Sequence, residues 1–216
     1  MATEVAPLQP ARSSEEARSR GLGLLAWLCA AAALLVAAGI GIAWLRYPSD
    51  RTPEGAYLRV MSAVNRGRPQ EFFAYIETRA QHACYTIRDY RKKSRERVLA
   101  SYPKPERDRL AALYQEEANA ADGSDLFAVF AKRRGWLGRL RRDMSGIAHV
   151  ERRGERASVE TVRGTRYPVR IRSENGIWGL TLFTAELEAE AERAARDYEL
   201  IERASRDYER EKQVGR

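Results

Sequence analysis

Hydrophobic and polar positions divide the chain into an uninterrupted apolar run, a stretch of helical periodicity, a stretch of strand periodicity and a long charged end. From Gly21 to Leu45 there are 25 residues without a charge. At roughly 1.5 Å per residue they would make a helix of about 37 Å, more than the roughly 30 Å of bilayer hydrocarbon. Trp27 and Trp44 stand near its ends, where indole rings favour the membrane–water boundary, and Arg20 and Arg46 bracket it. The run predicts an uncleaved membrane-spanning helix containing Gly21, Trp27, Trp44 and Leu45. It exceeds the about 7–15 apolar residues of a cleavable signal segment.

Basic residues do not set the orientation, since Arg12, Arg18 and Arg20 before the run balance Arg46, Arg51 and Arg59 after it. A short N-terminal tail needs no translocation. The expectation is therefore a single-pass protein of the inner (cytoplasmic) membrane, with its C-terminal domain outside the cytoplasm. Residues 1–20, poor in large apolar groups, are expected to be a disordered tail, and 46–52 a linker.

Helical periodicity begins with Thr52 as N-cap and Pro53 at the first helical position. Tyr57, Val60, Met61 and Val64 share one face, and Gly67 ends the turn. Pro69 opens a second helix through Phe72, Phe73, Ile76, Ala80, Ala83, Cys84 and Ile87. From Arg88 charged residues predominate, so this helix is expected to fray or run over solvent until Tyr102–Pro105. A third fits Glu106–Ala121, with Leu110, Leu113, Tyr114, Ala118 and Ala121 on one side, and Ser124 is placed to cap a short fourth.

Past Gly146 the period changes to two. Ile147–Arg152, Ala157–Val162, Arg166–Arg172 and Ile177–Phe183 read as strands joined by turns at Gly154, Gly164 and Asn175-Gly176. In the third, Tyr167, Val169 and Ile171 face one way and Arg166, Arg170 and Arg172 the other. Helices followed by an antiparallel meander predict an α+β domain over 53–184. From Thr184 onward one charged helix is predicted, occupying 185–216 beyond the domain. Its Leu187, Ala191, Ala194, Tyr198, Ile201, Ser205 and Tyr208 repeat in heptad spacing. Two readings of that seam stand: a solvated helix held by i,i+4 ion pairs, or a short coiled coil joining a protein partner or a second copy through Leu187, Ala191, Tyr198, Ile201 and Tyr208.

Composition adds a basic bias. The 216 residues hold 38 Lys+Arg against 30 Asp+Glu, for a net charge of +8, and only five of the cations are Lys. Collagenous, disulfide-stapled and wholly disordered classes are excluded by 15 Gly, 8 Pro, 2 Cys and 44% hydrophobic residues. Between Lys132 and Arg142 the cations Lys132, Arg133, Arg134, Arg139, Arg141 and Arg142 interleave with Trp136, Leu137 and Leu140. That composition suits an anionic lipid surface. The denser run Arg91–Arg97 reads as a solvated face. No nucleic-acid partner is expected for a domain outside the cytoplasm; the bilayer is the expected partner.

Catalytic signals are sparse. His82, Tyr85 and Asp89 share a helix face, with Tyr75 and Tyr90 nearby, and an isomerase-type site would need such an acid or base in a dry cavity beside an oxyanion-holding hydroxyl. His149 has no evident partner. Two His and two Cys, none at ligand spacing, predict no metal site, and no phosphate loop or nucleophile elbow predicts a cofactor.

Thr52-Pro53-Glu54-Gly55, Val64-Asn65-Arg66-Gly67 and the final hairpin Glu174-Asn175-Gly176-Ile177-Trp178-Gly179-Leu180 together resemble the cystatin-like, nuclear-transport-factor-like superfamily over roughly residues 53–184. The resemblance implies helices wrapped in a bent antiparallel sheet, often on a single membrane anchor in bacteria. It implies either of two activities: non-catalytic binding, or ketosteroid-isomerase-like catalysis. Residues 88–145 hold more helix than that pattern requires. The expected function is a membrane-anchored, non-catalytic binding or assembly domain, the alternative a membrane-tethered isomerase-like enzyme.

Overall fold

A computed structural model describes residues 27, 29–40 and 48–214. The chain forms two compact units, 1–47 and 48–216. In the first, residues 29–40 are helical, with Leu34, Leu35, Val36 and Ile40 exposed. The expected tail 1–20 and most of the expected span 21–45 lie outside the described residues. Among the described residues, no helix is long and apolar enough to cross a membrane.

The second unit is α+β and ends in a long helix. Its first helix, α1 (Pro53–Arg66), begins where the Thr52 hydroxyl accepts from Gly55 N at 3.1 Å, and stops at Gly67, whose φ of 73° is left-handed. Tyr57, Val60 and Val64 are fully buried. Ahead of it, Asp50 O accepts from Trp178 N at 3.1 Å, so this end of the expected linker is docked.

The expected second helix is two: α2 (Pro69–Phe73) and α3 (Thr78–Ser101). Residues between them leave the helix to pair with a strand. Leu180 N donates to Tyr75 O at 2.8 Å, and Glu77 N donates to Leu180 O at 3.1 Å. Gly179 makes this crossing fit, since a Cβ there would lie 2.8 Å from the Ile76 carbonyl carbon. Helical periodicity in the side chains did not disclose a break made by backbone pairing.

Next come α4 (Glu106–Ala118), α5 (Gly123–Arg133) and α6 (Trp136–Asp143). The third expected helix thus ends early, and Leu113 is 63% exposed rather than on its inner side. Asp122, not Ser124, caps α5, accepting from the Ser124 and Asp125 amides at 2.8 and 3.0 Å. Strands β1 (Ile147–Arg153), β2 (Arg156–Thr161), β3 (Arg166–Ile171) and β4 (Trp178–Leu180) form an antiparallel sheet in sequence order. Val159, Tyr167, Val169, Trp178 and Leu180 fill its inner face.

The last helix, α7 (Thr184–Val214), belongs to the unit. Leu187 and Ala194 are fully buried in the main core beside Phe127 and Trp136. Ile201 joins Val98, Tyr102, Ala111 and Tyr114 in a second core. Contacts ascend together along α3 and α7: Arg79–Glu188, Arg91–Asp197, Arg97–Glu202 and Ser101–Glu209. The two helices therefore run parallel. On α3, Ala80, Cys84, Ile87, Arg91, Ser94, Val98 and Ser101 are buried at alternating spacings of four and three, matching the seam of α7. This corrects two expectations: the second half of α3 does not run over solvent, and the α7 seam is covered by the chain itself. At the start of the pair, Thr184 Oγ1 donates to Glu77 Oε1.

Candidate functional site

The seam of α3 determines which of its residues can meet a ligand. Because Cys84, Ile87 and Arg91 face inward, His82, Tyr85 and Asp89 fall on the outer side and are exposed, Tyr85 at 41%. Asp89 stands 3.7 Å from Arg88. Tyr75 donates to Asp50 Oδ2 at 3.5 Å, and Tyr90 packs on Tyr198 with ring centroids 5.8 Å apart. His149 is exposed on β1. The structure does not bring these groups together around a cavity. Between sheet and helices, Trp136, Trp178, Tyr57, Phe72 and Phe127 are fully buried and fill the space. A shallow hollow lies instead between α4 and α5, lined by Ala112, Gln115, Glu116, Asn119, Ala120 and Val129.

The basic segment 132–142 is partly turned inward. Trp136, expected at a membrane surface, is fully buried and stacks on Phe183 with centroids 4.0 Å apart and planes 8° from parallel. Leu140 is buried too. Arg133 bonds Glu117 at 2.5 Å and Glu116 at 2.8 Å, and Arg134 bonds Glu190 at 3.0 Å. Arg141 donates to Val64 O at 2.9 Å. All six cations remain exposed, and among the described residues Lys132, Arg139 and Arg142 make no such bond. In a sequence, indole and leucine look alike whether they meet a bilayer or a core.

Sequence reading missed the most buried charge cluster. Arg91 is 5% exposed on α3 and bonds Glu117 of α4 at 3.0 Å, Glu190 of α7 at 3.4 Å and Asp197 of α7 at 2.5 Å. Its guanidinium also lies 5.0 Å from the Tyr114 ring centroid. Burial alone would lower the Arg91 pKa, but the hydrogen bond to Asp197 and the charges of Glu117 and Asp197 outweigh it, leaving the pKa raised. Arg133 and Arg134 supply the remaining cations to Glu117 and Glu190, so no acidic member is left unpaired. The cluster ties four helices and fixes the register of α7 on α3. Its visible signal was an Arg at a heptad position that the surrounding charges disguised.

The seam residues expected to associate are placed as follows. Leu187 and Ile201 are buried, Ala191, Tyr198 and Tyr208 half-buried, and Tyr208 packs edge-on against Tyr102 at 5.0 Å.

The outer face of the sheet is a second surface. Strand register places Arg153, Arg156 and Arg170 in one row across β1, β2 and β3. Arg153 and Arg156 are exposed and Arg170 half-buried. On the other face Arg152 covers Trp178, 5.1 Å from its ring centroid.

The chain matches no protein-family model, no curated protein and no solved structure.

Proposed function

We propose that the chain is a single-pass membrane protein whose 48–216 unit is a non-catalytic binding or assembly domain held outside the cytoplasm by residues 21–45. The observation that carries the reading is the position of His82, Tyr85 and Asp89 on the solvent side of α3, over a core closed by Trp136, Trp178 and Phe127. Chemistry of the isomerase kind needs its acid or base and its oxyanion donor to converge in a water-poor pocket. These groups lie along the solvent-facing side of α3. A domain with a filled interior acts through its surface.

The anchor rests on the uncharged run and on Leu34, Leu35 and Val36, each more than 60% exposed on the helix at 29–40. Apolar side chains arrayed in that way need a non-aqueous neighbour. Helices followed by an antiparallel meander support placing the domain beside the cystatin-like, nuclear-transport-factor-like proteins, with the α3–α7 pair as its own addition.

The reading is tested by treating intact spheroplasts that express the full chain with a membrane-impermeant cross-linker. Discrete adducts are expected without lysis. Adducts that form only after lysis would move the domain to the cytoplasm. Turnover of a ketosteroid-type substrate that Asp89→Asn abolishes would replace binding with catalysis.

A further inference from the structure

Arg156 on β2 and Arg170 on β3 stand directly opposite one another, and Arg153 extends the row onto β1 opposite Arg156. Like charges directly opposite across a sheet repel. Among the described residues no carboxylate pairs with Arg156 or Arg170. Arg153 shares Glu151 at 2.5 Å while its side chain stays 83% exposed. Elsewhere on the same face the charges are matched, as where Arg166 meets Glu160 at 3.1 Å. One end of the sheet thus keeps an outward-facing arginine row in which Arg156 and Arg170 have no carboxylate partner among the described residues.

That end is also where the chain arrives from its N-terminal side. Asp50 O holds Trp178 N, Trp178 pairs with Ile171, and Ile171 follows Arg170. In the sequence only Arg46 and Tyr47 separate Leu45 from Pro48, so the tether between the apolar run and the domain is short. The Lys132–Arg142 segment is less well placed. Arg141 is fastened to Val64, near the far end of α1, a 14-residue helix and so roughly 20 Å long.

We propose that Arg153, Arg156 and Arg170 form the surface by which the domain docks on the anionic headgroups of the membrane holding residues 21–45. The inference rests on the anchored reading above. Guanidinium forks suit phosphate oxygens, and a planar headgroup layer can meet all three arginines at once. Each basic residue at such a surface shifts the docking equilibrium about fivefold, so losing two lowers it about 30-fold. The domain would then lie down on the bilayer rather than swing on its tether, presenting a fixed side to its partner.

The test uses the full chain with Cys29→Ser, labelled with a fluorophore at Ser158→Cys on the outer sheet face and incorporated into lipid nanodiscs carrying a nitroxide headgroup quencher. Strong quenching is expected in phosphatidylglycerol-containing discs and little in phosphatidylcholine discs. Arg156→Gln with Arg170→Gln should remove the difference, while Arg156→Lys with Arg170→Lys should keep most of it. Salt should weaken it in the unaltered chain. A label at Leu113→Cys should not respond to the double Gln change. Equal quenching in both lipids, or quenching that the Gln pair leaves unchanged, would overturn the proposal. So would lipid-independent quenching together with DNA-duplex binding that the Gln pair abolishes, which would reassign the row to nucleic acid. Protein that never enters the disc fraction contradicts the anchor itself, and is recognised before any quenching is read.

Discussion

Arg91 Nε lies 3.0 Å from Glu117 Oε2, joining α3 to α4 through two side chains that are each less than a tenth exposed. The same guanidinium reaches Glu190 and Asp197 on α7, so one arginine holds three helices. Breaking a buried ion pair by removing one partner leaves an uncompensated charge. Arg91→Ala is therefore expected to destabilise the domain by about 3–5 kcal/mol. Asp197, with a third of its side chain exposed, contributes less, and Asp197→Asn should cost about 1 kcal/mol. Urea unfolding of the two variants in detergent, followed by far-ultraviolet circular dichroism, measures the difference; equal small losses would show the network to be ornamental to the fold.

Removal of α7 should unfold the domain rather than release a tail. Truncation after Phe183 strips Leu187 and Ala194 from the main core and Ile201 from the second, and leaves Arg91 without two of its three carboxylates. Burying one leucine contributes about 1.5–3 kcal/mol, so these losses together compare with the roughly 5–15 kcal/mol by which a domain is stable. The truncated chain should be protease-sensitive and aggregate. A soluble, cooperatively unfolding 48–183 fragment would show that the helix is dispensable.

Trp136 separates a core role from a lipid-facing one. Its ring is fully buried between Phe127, Phe130 and Phe183. Trp136→Ala should cost about 3–5 kcal/mol. Membrane binding that weakens with stability unchanged would instead return the ring to the surface.

Cys84 reports on the integrity of the α3 seam. Burial pushes its thiol from 9.0 up to about 12, and the side chain is fully covered. In a Cys29→Ser background, alkylation should stay slow across alkaline pH until denaturant opens the fold. A raised folded-state pKa also means that the stability this thiol contributes is complete below its ordinary value and is lost as pH climbs toward the folded one. Stability should therefore fall between pH 9 and about 12 in the native protein more steeply than in Cys84→Ala. Fast alkylation of the folded chain near neutral pH would mean that α3 opens far more often than its burial implies.

Much of the meander was legible because each strand alternates and each turn carries a glycine that the chain uses at positive φ: 61° at Gly154, 79° at Gly164 and 70° at Gly176. Helix α1 was legible for a similar local reason, its Thr52 cap and Gly67 stop. The second half of α3 was not. Its inward positions include Arg91, Ser94 and Ser101, and what makes them interior residues is the set of carboxylates and hydrophobic groups on α4 and α7, about a hundred residues away in α7. The seam of α7 was visible, but its match within the chain was not, because α3 carries polar residues where a leucine would have signalled it. The arginine row was concealed by strand register: Arg153, Arg156 and Arg170 are brought into line only by pairing.

Alkaline carbonate extraction of membranes from cells expressing the full chain tests the account most directly. The full chain should remain in the membrane pellet, with N-terminal sequencing still finding residues 21–45, while a chain lacking them should appear soluble and folded. A full-length chain released by carbonate, or a mature protein beginning beyond Ala33, would contradict the anchored reading.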